Sequence, residues 1–123
     1  MRNPCPCCGY LVFREELGSG EICPVCLWQD DIASLVFATE ACGPNKISLV
    51  EAQSNFRTMG VKESRLITHV DPAARDSYRR DPQWRPIDLR VDSFPKVGTD
   101  PERLPDPPNI GGLYYWRNAT LAH

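Results

Sequence analysis

The 123-residue sequence lacks a long hydrophobic run. Its longest largely apolar stretch, Ile32 to Ala38, is far shorter than the roughly 20 residues that a membrane-spanning helix needs. The opening residues, MRNPCPCC, also lack the apolar segment of a secretory signal. We therefore expect a cytoplasmic protein with no membrane contact, in which closely spaced cysteines are more often metal ligands or catalytic thiols than disulfides.

The sequence also lacks a surplus of basic charge. Its 14 lysines and arginines stand against 16 acidic residues, which gives a formal net charge of -2. The first 31 residues contain two arginines and five acidic residues, namely Glu15, Glu16, Glu21, Asp30 and Asp31. Since DNA- and RNA-binding proteins contact phosphates through basic patches, we expect no nucleic acid partner. An acidic surface suits a protein partner with a basic cleft, and these five acids are candidate contact residues.

A recognisable catalytic constellation is also missing. An enzyme needs a nucleophile with its base, paired acids around a cleft, or a metal with an open coordination position. The two histidines, His69 and His123, and the isolated Cys42 have no partner in the sequence that would activate them. We therefore expect a protein that is not an enzyme, in which Cys42 is a turn or core thiol.

What the sequence does contain is a duplicated cysteine motif. C-P-C-C-G-Y from Cys5 and C-P-V-C-L-W from Cys23 align as C-P-x-C-x-aromatic. Cys7 falls opposite a valine in this alignment, so we do not expect it to be a ligand. The alignment selects four cysteines as candidate metal ligands: Cys5, Cys8, Cys23 and Cys26.

Two C-x2-C pairs separated by 14 residues are typical of a zinc ion bound by four thiolates. Each pair forms a tight turn, and the two turns together complete a tetrahedron. Gly9 suits the first turn because glycine adopts positive φ without steric cost, whereas Leu27 occupies the equivalent position in the second. Four sulfur ligands leave no open position, so we predict one structural zinc ion.

Three other interpretations of these cysteines compete with zinc. Free cysteines can simply fill a core, but a core does not require the duplicated spacing. A thioredoxin-like redox pair belongs in a βαβ pattern, and neither pair has one around it. A rubredoxin-like iron site has the same spacing as the zinc site, and the sequence does not distinguish the two metals.

The remaining pattern predicts a small α+β fold. Leu11-Val12-Phe13 and Ile22 predict a β-hairpin between the two cysteine pairs, with Gly18-Ser19-Gly20 in its turn. The run from Ile32 to Ala38 is compatible with either a strand or a helix.

Two helices are predicted further along the chain. The first begins after the capping residue Ser48, places Leu49, Ala52 and Phe56 on one face, and ends at Gly60. The second, polar and exposed, runs from Asp71 to about Arg80.

The chain is predicted to divide into a zinc-binding domain, residues 1–80, and a wrapping extension, residues 81–123. Seven of the 12 prolines lie in residues 81–108, where they interrupt helices and strands. Near the end, the stretch around Tyr114, Tyr115 and Trp116 predicts an edge strand. Alternatively, these aromatics are too many to bury and form a contact patch for a partner. The predicted fold is thus a zinc-ribbon or rubredoxin-like hairpin site packed on one or two helices, with a long irregular extension.

Four segments between Pro4 and Asp76 resemble the bacterial cysteine-rich CPCC family. They are PCPCCGYLVF, ICPVCLWQDD, GPNKISLVEAQSNFRTMG and, more loosely, VKESRLITHVDPAARD. Two details depart from the family pattern: Leu27 replaces a glycine, and CGPN replaces a GGAN-type turn.

This resemblance implies a role in toxin immunity. Members of the family occur in bacterial polymorphic-toxin systems, where small proteins bind and neutralise a cognate toxin. The resemblance therefore implies a toxin-binding immunity protein. From the residues alone, a rubredoxin-like electron carrier and a general zinc-ribbon interaction module are the alternatives.

Overall fold

The computed structural model describes residues 2–96 and 114–117. Within them, Asn3–Pro4 (β1) and Leu11–Phe13 (β2) form a two-stranded antiparallel sheet in which Asn3 lies opposite Phe13. The helices are Ile32–Val36 (α1) and Leu49–Met59 (α2). Short 3-10 helices lie at Gly43–Asn45, Ser64–His69, Pro72–Ser77 and Tyr115–Arg117. The predicted small α+β fold is confirmed, and no helix in the described ranges has both the length and the apolar character to cross a bilayer.

The hairpin lies at a different place in the sequence from the one predicted. β2 pairs with β1, so the two strands flank the first cysteine turn instead of joining the two turns. Around the second turn, Ile22 and Gln29 form a single antiparallel bridge. Each cysteine pair therefore lies at the tip of its own small hairpin.

Side chains explain why the segment between the two turns does not form strands. The Glu21 carboxylate accepts hydrogen bonds from the backbone amides of Arg14 and Glu15, both at 3.1 Å. Asp30 Oδ2 accepts from the amides of Gly18 and Ser19 at 2.9 and 3.0 Å. These carboxylates satisfy amides that strand pairing would otherwise have used, so the segment forms a loop.

The ambiguous run after Asp31 forms the short helix α1. Asp31 is its N-cap, and the Asp31 side chain accepts a hydrogen bond from the Ser34 amide at 2.9 Å. The helix buries Leu35 and Val36. An acidic N-cap also compensates the partial positive charge of the first turn.

Helix α2 confirms the prediction made from its sequence. Ser48 Oγ accepts from the Glu51 amide at 3.0 Å, and Gly60 closes the other end with φ of 79°. The predicted apolar face is buried, with Leu49 and Ala52 fully excluded from solvent. The capping residues and the periodicity were therefore sufficient to predict this helix.

The second predicted helix begins as expected but is shorter and of another type. Asp71 caps it by accepting from the Ala73 amide at 3.0 Å, but Pro72–Ser77 is a 3-10 helix. The chain leaves the helix because Arg79 O accepts a hydrogen bond from the Leu11 amide at 2.8 Å, and Arg80 bridges to Tyr10. A tertiary contact with the first hairpin thus overrides helical propensity.

The aromatic residues near the end of the chain are buried, which corrects the expectation of an exposed contact patch. Tyr114, Tyr115 and Trp116 have only 3%, 8% and 3% of their surface exposed. Two of their polar atoms are satisfied inside: Tyr115 Oη accepts from Gln53 Nε2 at 2.8 Å, and Trp116 Nε1 donates to Asp81 Oδ2 at 3.1 Å.

The predicted edge strand also differs from what is observed. Tyr115–Arg117 is a 3-10 helix, while the neighbouring parts of the predicted strand lie outside the described residues. The division of the chain at residue 80 stays a prediction.

Candidate metal centre

The four cysteines selected by the duplicated motif converge on one point. Their sulfur atoms all lie within 4.8 Å of one another, and all four residues are fully buried. Cys5 Sγ is 3.6 Å from Cys26 Sγ, and Cys8 Sγ is 3.7 Å from Cys23 Sγ. A tetrahedral ion with bonds of about 2.3 Å separates its sulfur ligands by about 3.8 Å. The donor set therefore fits a single metal ion, and the distances are far longer than the roughly 2.05 Å of a disulfide.

The two cysteine turns have the same backbone conformation. In each, the amide four residues after the first cysteine donates to that cysteine's carbonyl: Gly9 to Cys5 at 2.7 Å, and Leu27 to Cys23 at 2.8 Å. Gly9 and Leu27 both have positive φ, at 81° and 71°. Leu27 thus adopts the left-handed conformation that glycine normally supplies, and the departure from the family pattern leaves the turn intact.

The buried sulfurs differ in how readily they ionise. Burial raises the pKa of Cys5, Cys8 and Cys26 above the ordinary thiol value. Burial also opposes ionisation of Cys23, but hydrogen bonds from the other three sulfurs outweigh it and lower the pKa of Cys23. Because a metal ion binds thiolates and must displace the protons of these buried thiols, we expect metal affinity to fall as the pH is lowered.

Residues from distant parts of the chain hold the first turn. Pro6 O accepts hydrogen bonds from Gln53 Nε2 at 2.9 Å and from Trp84 Nε1 at 3.0 Å. Arg80 Nε donates to Cys8 O at 2.9 Å, and its guanidinium lies 4.7 Å from the ring centroid of Trp84. The carbonyls of this turn are therefore satisfied by side chains, which fix its orientation.

The second turn is held by a different set of residues. Asn45 is fully buried and bonds twice to the backbone of Gln29, accepting from its amide at 2.8 Å and donating to its carbonyl at 2.9 Å. The Lys62 amide donates to Cys26 O at 2.9 Å, and Lys62 Nζ donates to Asn45 Oδ1 at 3.1 Å. Asn45 thereby joins Gln29, which follows the second turn, to the buried lysine.

Lys62 and Gln53 were missed in the sequence. Burial lowers the pKa of Lys62, while the negative charge of Glu63 acts in the opposite direction. One signal was present for Gln53, because it lies on the same helical face as Leu49 and Phe56, where a polar residue indicates a buried amide. No comparable signal marks Lys62.

Three of the five acidic residues proposed as partner contacts have internal roles instead. Asp30 is buried with 2% of its surface exposed, which corrects its assignment to a contact surface. Glu21 binds the amides of the loop, and Asp31 caps α1. Glu15 and Glu16 are exposed and stay candidates.

The remaining cysteines and histidines lie outside the ligand set. Cys7 is fully buried in the same core as the four ligands. Cys42 is half-buried and its thiol donates to Ala33 O at 3.6 Å. His69 is exposed, and His123 lies outside the described residues.

Comparison with known proteins identifies one family. No curated protein and no solved structure matches the chain. The sequence model of one family, Cysteine-rich CPCC, matches residues 3–77, a range that contains all four converging cysteines and α2. Because the match spans more than half of the chain, the protein belongs to the Cysteine-rich CPCC family.

Proposed function

We propose that this protein binds one zinc ion as a structural cross-link and acts by binding another protein, neutralising a bacterial toxin. The observation that carries the proposal is the convergence of four fully buried cysteine sulfurs. Four protein ligands fill a tetrahedral ion, so no position is left for water or substrate. The protein is accordingly proposed not to be an enzyme.

The small size of the regular elements supports a structural role for the metal. The described sheet has two short strands, and an isolated pair of that kind is marginal in water. Structural zinc contributes about 10–16 kcal/mol of binding free energy in small zinc-finger domains. An ion that joins both hairpin tips would therefore supply stability that the strands lack.

The exposed surface of the loop between the turns supports a protein partner. Glu15 and Glu16 are exposed there, and Ile22 has 52% of its surface in contact with solvent. Ile32 is also exposed and packs beside Gly18 of the same loop. Exposed isoleucines beside carboxylates are suited to a partner whose surface combines apolar and basic residues, as a toxin cleft that binds an anionic substrate would.

Metal analysis tests the first part of the proposal. We expect the purified protein to be colourless and to contain one zinc ion per chain. A red protein containing iron would favour the rubredoxin-like electron carrier instead. Protein that binds neither metal would contradict the metal centre altogether.

Co-expression with a candidate toxin, chosen from the genes next to this one, tests the second part. We expect the wild-type protein to restore growth and to co-purify with the toxin. Glu15→Lys combined with Glu16→Lys should weaken both effects, whereas the control Asp76→Lys changes an exposed acid outside the loop and should not. Unchanged protection by the double variant would exclude this loop as the contact surface, and absence of protection by the wild type would contradict the toxin role.

A further inference from the structure

The metal centre creates a buried charge that the fold must accommodate. Four anionic sulfurs outweigh the two positive charges of a divalent ion, so the occupied site is negatively charged. All four ligands are fully buried, which excludes the solvent that would screen this charge. A buried charge is unfavourable unless a group of opposite charge lies near it.

Among the described residues, Lys62 is the one buried cation, with 6% of its surface exposed. Its backbone amide donates to Cys26 O at 2.9 Å, so the residue is anchored directly to a ligand of the second turn. The ammonium group donates to a neutral oxygen, Asn45 Oδ1, at 3.1 Å. Because an amide oxygen carries no net charge, this hydrogen bond does not neutralise the charge of the lysine.

The ion pair of Lys62 with Glu63 is weak. Its two charged atoms are 3.9 Å apart, and both carboxylate oxygens of Glu63 already accept hydrogen bonds from Arg65, at 3.0 and 3.1 Å. The positive charge of Lys62 is thus held inside the protein without a close carboxylate of its own. The thiolates of an occupied metal centre would provide the missing negative charge.

We propose that Lys62 is the buried counter-charge of the metal centre and a positioning residue for Cys26, an inference that rests on the metal-binding part of the proposed function. The lysine favours the state in which all four sulfurs are anionic and bound to the ion. Arg80 also bonds to a ligand carbonyl, Cys8 O, but Arg80 is exposed and solvent screens its charge. Lys62 therefore has the larger effect of the two.

Substitution of Lys62 tests this inference through metal affinity. We expect Lys62→Met, which keeps most of the side-chain volume, to weaken zinc binding by about 10–100-fold, as loss of a group that supports metal ligands typically does. Lys62→Arg keeps the charge and should restore most of the affinity. The control Arg57→Met removes an exposed cation from α2 and should leave the affinity unchanged. Affinities are measured by competition with a chromophoric chelator.

A reduction potential separates a charge effect from a merely structural one. In protein loaded with iron, Lys62→Met should lower the Fe(III)/Fe(II) potential, because removing a nearby positive charge disfavours the more negative reduced state. Lys62→Arg should keep the wild-type potential. If Lys62→Met leaves both zinc affinity and potential unchanged, the inference is wrong.

A second variant covers the case in which Lys62→Met does not fold. Lys62→Gln keeps a hydrogen-bond donor for Asn45 Oδ1 but removes the positive charge, so it should lower the potential, and an unchanged potential would overturn the inference. Wild-type protein that binds no metal would instead contradict the proposed function, so the two failures are distinguishable.

Discussion

The two cysteine turns share one backbone conformation but differ in what surrounds them. Gly9 and Leu27 occupy equivalent positions with positive φ. A Cβ atom on Gly9 would lie 2.5 Å from Trp84 Cδ2, whereas the second turn accommodates Leu27 as a half-buried residue. Glycine is therefore required in the first turn by the tryptophan packed against it. In the second turn, the left-handed conformation costs a leucine only about 1–2 kcal/mol.

The residues that hold each turn differ in their distance along the chain. Side chains of α2 and of the segment after it, Gln53, Arg80 and Trp84, bond to carbonyls of the first turn. The second turn depends on Asn45 and Lys62, which are closer in sequence. The same metal-binding turn can thus be stabilised by unrelated surroundings, and the variants below test how equivalent the two turns are.

Replacing a ligand should have the largest effect and should be similar for both turns. Cys8→Ser or Cys23→Ser removes a sulfur from the tetrahedron, so we expect loss of stoichiometric zinc binding and of cooperative thermal unfolding. Cys7→Ala leaves the ligands intact and should cost about 1 kcal/mol through a small cavity. Zinc content and circular dichroism measure both outcomes. Equal damage from Cys7→Ala would show that the ligand assignment is wrong.

Removing the buried amide that holds each turn should have the next largest effect. Asn45→Ala leaves the amide and carbonyl of Gln29 without their partner, so we expect a loss of about 3 kcal/mol in the free energy of unfolding. Gln53→Ala should cost about 2 kcal/mol, because Pro6 O keeps its hydrogen bond from Trp84. Denaturant unfolding at saturating zinc compares the two. A larger loss for Gln53→Ala would reverse the proposed order.

Substituting the two residues with positive φ should separate the effect of side-chain packing on stability from the effect of backbone conformation. Gly9→Ala meets both the unfavourable φ and the Trp84 ring, so we expect a loss of about 2–3 kcal/mol. Leu27→Gly relieves the unfavourable φ but loses side-chain packing, and its net effect should be within about 1 kcal/mol. Thermal denaturation of the zinc-bound proteins provides the comparison. Similar losses from both substitutions would contradict the asymmetry between the turns.

A similarly small effect is expected at Asp81, which joins the first turn to the aromatic residues near the chain end. Its amide donates to Gly9 O at 2.7 Å, and its carboxylate accepts from Trp116 and Arg117. Although burial opposes ionisation, hydrogen bonds from Gln83, Trp116 and Arg117 lower the pKa of Asp81. The ionised form is therefore favoured by folding. Its contribution is fully present above the ordinary pKa of 3.8 and is lost as the pH falls through the lower value in the folded protein.

Asp81→Asn tests this contribution at pH 7, where the metal site is also intact. We expect a loss of about 1 kcal/mol, since an amide keeps part of the hydrogen bonding but not the charge. Cys23→Ser and Asn45→Ala, which act elsewhere, should exceed it. Stability equal to or above that of the wild type, measured by denaturant unfolding, would show that the carboxylate contributes nothing.

The parts predicted correctly depend on local signals. The duplicated spacing identified the four converging cysteines, and the Ser48 cap with Gly60 identified α2. In both cases the determining residues lie within a few positions of one another, so the pattern is visible without the fold.

The parts predicted wrongly depend on side-chain bonds to backbone amides and on contacts between distant residues. The hairpin was misplaced because Glu21 and Asp30 bind backbone amides of the loop. The second helix ends early because the Leu11 amide donates a hydrogen bond to Arg79 O. Tyr115 lies inside the protein, where its hydroxyl accepts a hydrogen bond from Gln53. The Leu11–Arg79 and Gln53–Tyr115 contacts join residues that are far apart along the chain, and composition or periodicity does not reveal them.

The long-range bonds to Pro6 O have a consequence for synthesis of the chain. Both cysteine pairs leave the ribosome well before Gln53 and Trp84, which follow Pro6 by 47 and 78 residues. The nascent protein therefore presents all its candidate ligands while the first turn is still uncovered. An ion captured at that stage would organise the growing chain, and the later segments would then close over it.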